Sequence, residues 1–462
     1  MDVALQPICR SLTVPGRPQT AQNLIRLWLL WLLWRYIQPH SSKMPLQRLQ
    51  HANRITCRLY SISRNPSPLS VSAVVVGAGP AGITVVGNLL AQGQRQLVWV
   101  DPFFRGGRVN ANYREVPSNT KVNLFVQYAQ EVPAFKTIVE SAEKPNAFTA
   151  LQELPQEQGC CLSYAADLCL MLTEGLAKRS DIERQQAEVS KAVLDERTDT
   201  WSVDLSNGQR VTTSKVVLCT GSEPRPDGVP NLQALGSGHI RPVHLDIALS
   251  PSKLTQAFDP AAETTVAVIG ASHSAILVLM NLVNLASTTH PHLRIKWFTR
   301  NQLRYAEYMD GWILRDNTGL KGQAAEWARQ NLEDGAFSNS PVSKIITKIS
   351  TAQNEQETYR AELPRCTDIV QAVGYIRNPT PTLEVIGKDG NRTEPAVVYD
   401  HSNGRFFTDV KHAQTYIPGL FGAGIAFPER VTDPRGNVEY AVGFWKFMKF
   451  VKRVVPDWVS KP

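Results

Sequence analysis

The sequence predicts an α/β protein built on two Rossmann-like dinucleotide-binding units, with a small antiparallel β meander. Three observations carry this. The apolar run Ala73-Val74-Val75-Val76 breaks into Gly77-Ala78-Gly79-Pro80-Ala81-Gly82 and then turns helical. A second run, Thr265 to Ile269, breaks into Gly270-Ala271-Ser272-His273-Ser274-Ala275 and does the same. Two further buried strands close in glycine, at Thr220-Gly221 and Val373-Gly374-Tyr375, as a chain does where it passes tightly beside a dinucleotide.

In the first turn, Gly77 permits the bend, Gly79 lets the backbone approach a pyrophosphate, and Gly82 lets the helix pack on its strand. Pro80 and Ala81 open that helix, whose N-terminus faces the phosphates. The strand Leu97 to Val100 ends in Asp101, about 20 residues on, placed to accept hydrogen bonds from a ribose. The loop Pro102 to Arg108 follows, with Gly106-Gly107 and two arginines; Arg108 is a candidate for phosphate or ribose. Tyr113 to Lys121 reads as polar and turn-like and contains Asn119. Residues 131–178 read as helices, for example Tyr164 to Leu176 with an apolar face of Leu168, Leu170 and Leu172. The meander comes next, with a hairpin turn at Ser206-Asn207-Gly208. It leads into the strand that closes in Thr220-Gly221, and Ser222 to Pro230 reads as a linker.

The second turn replaces two of the fingerprint glycines by Ser272 and Ala275, and its helix reads as Ile276 to Leu285. Its companion strand ends in Thr299-Arg300 with no acid. Those two residues stand where a ribose 2′-phosphate is recognised, and with Ala275 they point to NADPH over NADH. Gly270, Ser272 and Ser274 complete the candidate contacts, and His273 is assigned no proton chemistry. The aromatic cluster Tyr305 to Trp312 reads as core or interface packing, with a substrate channel as the alternative. Gly419 to Ile425 is a further glycine-punctuated strand, and Asn437 to Val454 reads as a packed basic helix capped by Asn437.

The formal charge of +8 is concentrated at one end. Nine of the 49 Lys and Arg and one of the 41 Asp and Glu precede residue 71, leaving 40 of each and no case for a nucleic-acid partner. The Arg-rich, acid-poor leader resembles a mitochondrial transit peptide, with apolar Leu46, Leu49, Ala52, Ile55 and Leu59 on one helical face. Two other readings stay open: an interfacial membrane anchor through residues 24–37, or a cytoplasmic protein whose true start is Met44. The seven cysteines contain no Cys-x-x-Cys and read as buried free thiols, and no His or Cys cluster has metal-ligand spacing. The expected organisation is a leader over 1–70, a first nucleotide domain over 71–225 and 366–462, and a second over 226–365.

Two nucleotide turns in this order, with closing strands at Thr220-Gly221 and Val373-Gly374-Tyr375, resemble the two-dinucleotide-binding-domain flavoproteins. That superfamily includes the pyridine nucleotide-disulfide reductases and the class B flavoprotein monooxygenases. The resemblance runs from Val74 to the C-terminus. It implies FAD on the first turn, with Gly424 in its last motif, and NAD(P)H on a second domain inserted into the first. The reductase branch needs a redox-active cysteine pair, absent here, and a Gly-Asp where this chain has Gly424-Ile425. Ser118-Asn119-Thr120-Lys121 looks like the Asn-Thr segment of flavin-containing monooxygenases, which implies a catalytic Asn119 at the isoalloxazine. Asp368 to Tyr375 looks like their Ala-Thr-Gly-Tyr segment, with Val373 for Thr. Their Phe-x-Gly-x-x-x-His run is absent; His239 and His244 lie in that region without its Phe and Gly. The resemblance implies an NADPH-dependent monooxygenase acting through a flavin C4a-hydroperoxide, with O₂ and a small molecule as partners. The alternatives are an NAD(P)H reductase serving a quinone-type electron acceptor and a non-catalytic flavin or nucleotide sensor.

Overall fold

A computed structural model describes residues 69–226, 229, 238–410 and 413–460. The leader, with its import, anchor and alternative-start readings, lies outside the described residues.

The run Ala73–Val76 is apolar at every position because it is a central strand covered on both faces. Val75 belongs to a helical layer with Ile83, Val86 and Leu89, and Val74 to the opposite layer, with Trp201 and Leu420, that holds the meander. Each such side chain contributes about 1.5–3 kcal/mol by burial.

The strand is central to a seven-stranded sheet. It pairs in parallel with Val216–Leu218 on one side and Leu97–Val100 on the other. Ile182–Gln185 extends the latter edge, and Ala413–Gly422 follows Val216–Leu218. The meander forms a separate six-stranded sheet, Val189–Asp195, Thr200–Leu205 and Arg210–Thr213 in antiparallel order, with Thr382–Ile386 added in parallel.

The second nucleotide unit is a five-stranded parallel sheet. Thr264–Ile269 lies between Leu293–Thr299 and Asp368–Gln371, flanked by Ile346–Ser350 and Arg241–Pro242. Asp368–Gln371, expected with the first domain, is thus hydrogen-bonded into the second sheet. The linker expected at Ser222 to Pro230 contains a strand, Ser222–Pro224, antiparallel to Tyr375–Arg377. This two-stranded ribbon carries the chain out to the second unit and back.

Three local readings are corrected. The helix Leu162–Ala177 buries Leu168, Cys169, Leu172 and Leu176, while Leu170 is half-buried, since residues two apart cannot share a helical face. The second-turn helix is longer than read, His273–Thr288. The last helix is Phe444–Ser460, preceded by a strand, Val438–Ala441. Asn437 closes a hairpin on Asp433 and caps no helix, because Gly436 and Gly443 take positive φ on either side of an alternating Val438-Glu439-Tyr440-Ala441. The helix packs Phe447, Met448, Val451 and Val455 inward, and Arg453 pairs with Glu429 at 2.6 Å.

Candidate functional site

The two turns are shaped for ligands of the kind expected. A Cβ on Gly77 would lie 2.3 Å from the Cys219 carbonyl oxygen, and one on Gly82 would lie 1.9 Å from the Gly77 carbonyl oxygen. A Cβ on Gly79 would meet only Gly107 Cα, at 3.8 Å, so the space beside Gly79 is left for something other than protein. Gly79 is the N-cap of the helix Pro80–Ala91 and supplies no side-chain cap, which leaves the first amides for a phosphate. Ala81 packs beside Gly424, where a Cβ would come 2.4 Å from its own; Gly424 takes a φ of +92°.

Asp101 stands at the strand end as expected. Its Oδ2 accepts from the Ala78 amide at 2.7 Å, and Oδ1 accepts from Phe103 and Phe104 at 2.8 and 2.7 Å. Three of about four acceptor positions are filled, and the remaining one suits a ribose hydroxyl. Thr220 Oγ1 is buried without a hydrogen-bond partner beside Gly221, which has a φ of +73°. Sequence reasoning missed Asn378, whose Nδ2 donates to the Thr220 carbonyl at 2.8 Å and whose amide donates to that of Gly221 at 3.1 Å.

Arg108 has a different partner from the one expected. Its guanidinium pairs with Asp246 and donates to the Tyr113 hydroxyl at 3.3 Å, and that hydroxyl donates to Asp246 Oδ1 at 3.0 Å. Burial works against the Arg108 charge, but Tyr113 and Asp246 hold its pKa above the ordinary value. Burial, with the Tyr375 hydroxyl, pushes the Tyr113 phenol well up.

Asn119 lies on a bulged strand, Pro117–Lys121, where a turn was expected. The buried Ser118 holds the local backbone through Thr120, and the Asn119 side chain is exposed. Gly322, which opens the helix Gly322–Asn331, packs against Ser118 and Asn119. That helix also packs on the second-turn helix.

In that second turn, Gly270 (φ +124°) has no room for a Cβ, which would lie 2.4 Å from the Ala372 carbonyl oxygen. Ala275 is fully buried, Ser272 is the N-cap with no side-chain cap bond, and Ser274 follows in the first turn of the helix. Thr299 is buried and its hydroxyl donates to the Asn301 carbonyl at 2.6 Å, so that hydroxyl is already engaged. Arg300 is exposed and lines a cleft of about 480 Å³ with Arg304, Tyr305 and Arg315. Tyr308 is exposed, with Lys121 over its ring, so it is not core. Each turn is also locked by an indole the sequence reading passed over: Trp99 Nε1 donates to the Gly77 carbonyl at 2.9 Å and Trp297 Nε1 to that of Gly270 at 2.7 Å. The legible signal is a Trp two residues before Asp101 and another two residues before Thr299. The residues present therefore fit two dinucleotides. The thiols of Cys160, Cys169, Cys219 and Cys366 are free and buried, as expected, but Cys161, also expected to be a free thiol, is disulfide-bonded.

Comparison with known proteins agrees with this geometry. Residues 74–223 match a family model described as FAD-NAD(P)-binding. The chain is 50% identical over 401 residues to monooxygenase AgnR1 of Paecilomyces divaricatus, covering 85% of this chain and 99% of that protein. It is 23% identical over 313 residues to ketocytochalasin monooxygenase of Aspergillus clavatus, covering 66% of this chain and 44% of that one. A flavin-containing monooxygenase from Stenotrophomonas maltophilia shares the fold, with a TM-score of 0.50, 14% identity, and coverage of 85% and 99%. The chain belongs to the flavoprotein monooxygenases of the AgnR1 family, with an FAD-NAD(P)-binding region over residues 74–223.

Proposed function

We propose that this enzyme inserts one atom of O₂ into a small organic molecule, with Asn119 at the flavin edge and the Arg300 cleft selecting NADPH. The observation that carries the reading is the approach of the Asn119 strand to the helix Gly322–Asn331, which packs on the second-turn helix His273–Thr288. Bound FAD would accept hydride from NADPH and, once reduced, activate oxygen.

The chain's own residues do the rest. Gly77, Gly79, Gly82 and the free amides opening Pro80–Ala91 hold the pyrophosphate of FAD, and Asp101 holds its ribose. Gly270, Ser272 and Ser274 hold NADPH, with Arg300 and Arg304 facing its extra phosphate. Asn119 offers an exposed amide that can both donate and accept, which suits it to orient a flavin edge or a polar group of the substrate. Turnover under ¹⁸O₂ tests the reading: one labelled atom should appear in product per NADPH consumed. Unlabelled product, with NADPH oxidised anaerobically by a quinone, would establish the reductase instead.

The leader carries a second proposal, mitochondrial import, supported by its nine basic residues against one acid. Full-length tagged protein that stays diffuse in the cytosol would overturn it.

A further inference from the structure

The ribbon Ser222–Pro224 and Tyr375–Arg377 is a narrow connection between the two nucleotide units, yet the units are also tied at two other places. At the first, Arg108 and Tyr113 of the flavin unit meet Asp246 of the second, and Glu115 accepts hydrogen bonds from Ser250 and Ser252 at the start of Pro251–Ala257. Val116 of the flavin unit is buried in the second unit's own core with Leu245, Leu249 and Leu320. At the second, the buried Glu439 accepts from the Asn317 amide at 2.9 Å, from Asn317 Nδ2 at 3.1 Å and from the Thr318 hydroxyl. Lys446 of the terminal helix pairs with Asp316 Oδ2 at 2.9 Å and donates to Asn317 Oδ1. Asp316 is shared with Lys321, the residue before Gly322.

Partly buried ion pairs and hydrogen-bonded carboxylates of this kind are weak sources of stability. Separating the units would nonetheless leave Asp246 or Glu439 without its partners in a site with little access to water, which disfavours other arrangements. Hydride transfer depends steeply on the separation of donor and acceptor, so an error of about 1 Å can cost about a hundredfold in rate. We propose that Asp246 and Glu439 are positioning residues that hold the second unit in the orientation from which NADPH reduces the flavin. The relation of the two units is then preformed and not reached by rotation about the ribbon. The inference rests on the assignment of FAD to the first turn and NADPH to the second.

The test is anaerobic stopped-flow reduction of Asp246→Asn, Glu439→Gln and the double variant by saturating NADPH, with dithionite reduction as the reference. Each single variant should reduce at least tenfold more slowly than wild type, and the double variant more slowly still. FAD content, NADPH affinity and the dithionite rate should be unchanged, and Asp246→Glu should recover part of the loss. Reduction within twofold of wild type in the variants would overturn the proposal, as would a loss matched by FAD release. If NADPH failed to bleach wild-type flavin, the cofactor assignment itself would fall.

Discussion

At the helix-packing position the first turn has Gly82, where a Cβ would lie 1.9 Å from a backbone oxygen, and the second has a fully buried Ala275. At the phosphate position the first has Gly79 and the second Ser272; next to it, Pro80 stands opposite His273. At the end of the companion strand the first has Asp101 and the second Thr299-Arg300. Both keep the positive-φ glycine, Gly77 or Gly270, and both lock its carbonyl with an indole. The frame is therefore shared, and the differences lie where each turn meets its own nucleotide or its own helix. On the proposed assignment the strand-end exchange of acid for base would follow the nucleotide: a carboxylate accepts from ribose hydroxyls, and a guanidinium meets a phosphate.

The largest effect should come from making the turns alike at the helix-packing position. Gly82→Ala forces a methyl into the Gly77 carbonyl, which cannot move without losing its Trp99 bond. We expect protein that purifies with less than about a tenth of wild-type flavin, read from the absorbance ratio of flavin to protein. Ala275→Gly should cost only about 1 kcal/mol of stability and leave NADPH affinity within about threefold. Equal tolerance at the two sites would break the comparison.

Much of this contrast is legible in the sequence, because glycine spacing and strand-end charge are local features. Gly77, Gly82, Asp101 and Gly270 fall where local spacing puts them. The role of Arg108 is not legible in that way, because its partner, Asp246, is 138 residues away and only the packing of the two units brings them together. Thr299 departs from expectation for a smaller reason: a hydroxyl at a strand end is free or engaged according to the next turn, and here the Asn301 carbonyl takes it. Asn437 looks like a helix cap because the basic residues beyond it are helical, but β alternation and two positive-φ glycines intervene.

The next effect is on cofactor choice. Arg300→Ala should raise KM for NADPH about tenfold and leave KM for NADH within about twofold, since only the former carries the phosphate that Arg300 would meet. The same substitution at Arg304 should add to it. Equal losses for both nucleotides would remove the 2′-phosphate role and leave Arg300 as a surface residue beside Glu355.

The shared indoles predict a matched pair of smaller effects. Trp99→Phe and Trp297→Phe each leave one part-buried carbonyl without its indole donor, a loss of about 1 kcal/mol apiece. The first should weaken FAD and the second NADPH, measured by titration of each nucleotide. If either substitution weakened both nucleotides equally, the two turns would not be independent frames.

The smallest effect concerns His273, which has no titrating counterpart in the first turn. Burial, with the Lys321 charge adding to it, lowers its pKa from 6.5 to about 4. The folded protein then binds fewer protons than the unfolded chain between those values. Stability from this group is complete above about pH 6.5 and declines as the pH falls toward 4. His273→Gln removes the titration, so its melting temperature should fall less than that of wild type between pH 7 and pH 5, by about 1–3 °C. A wild type and variant with parallel pH profiles would show that the imidazole ionises in the folded state as readily as in water, and that the second turn is no more closed at this position than the first.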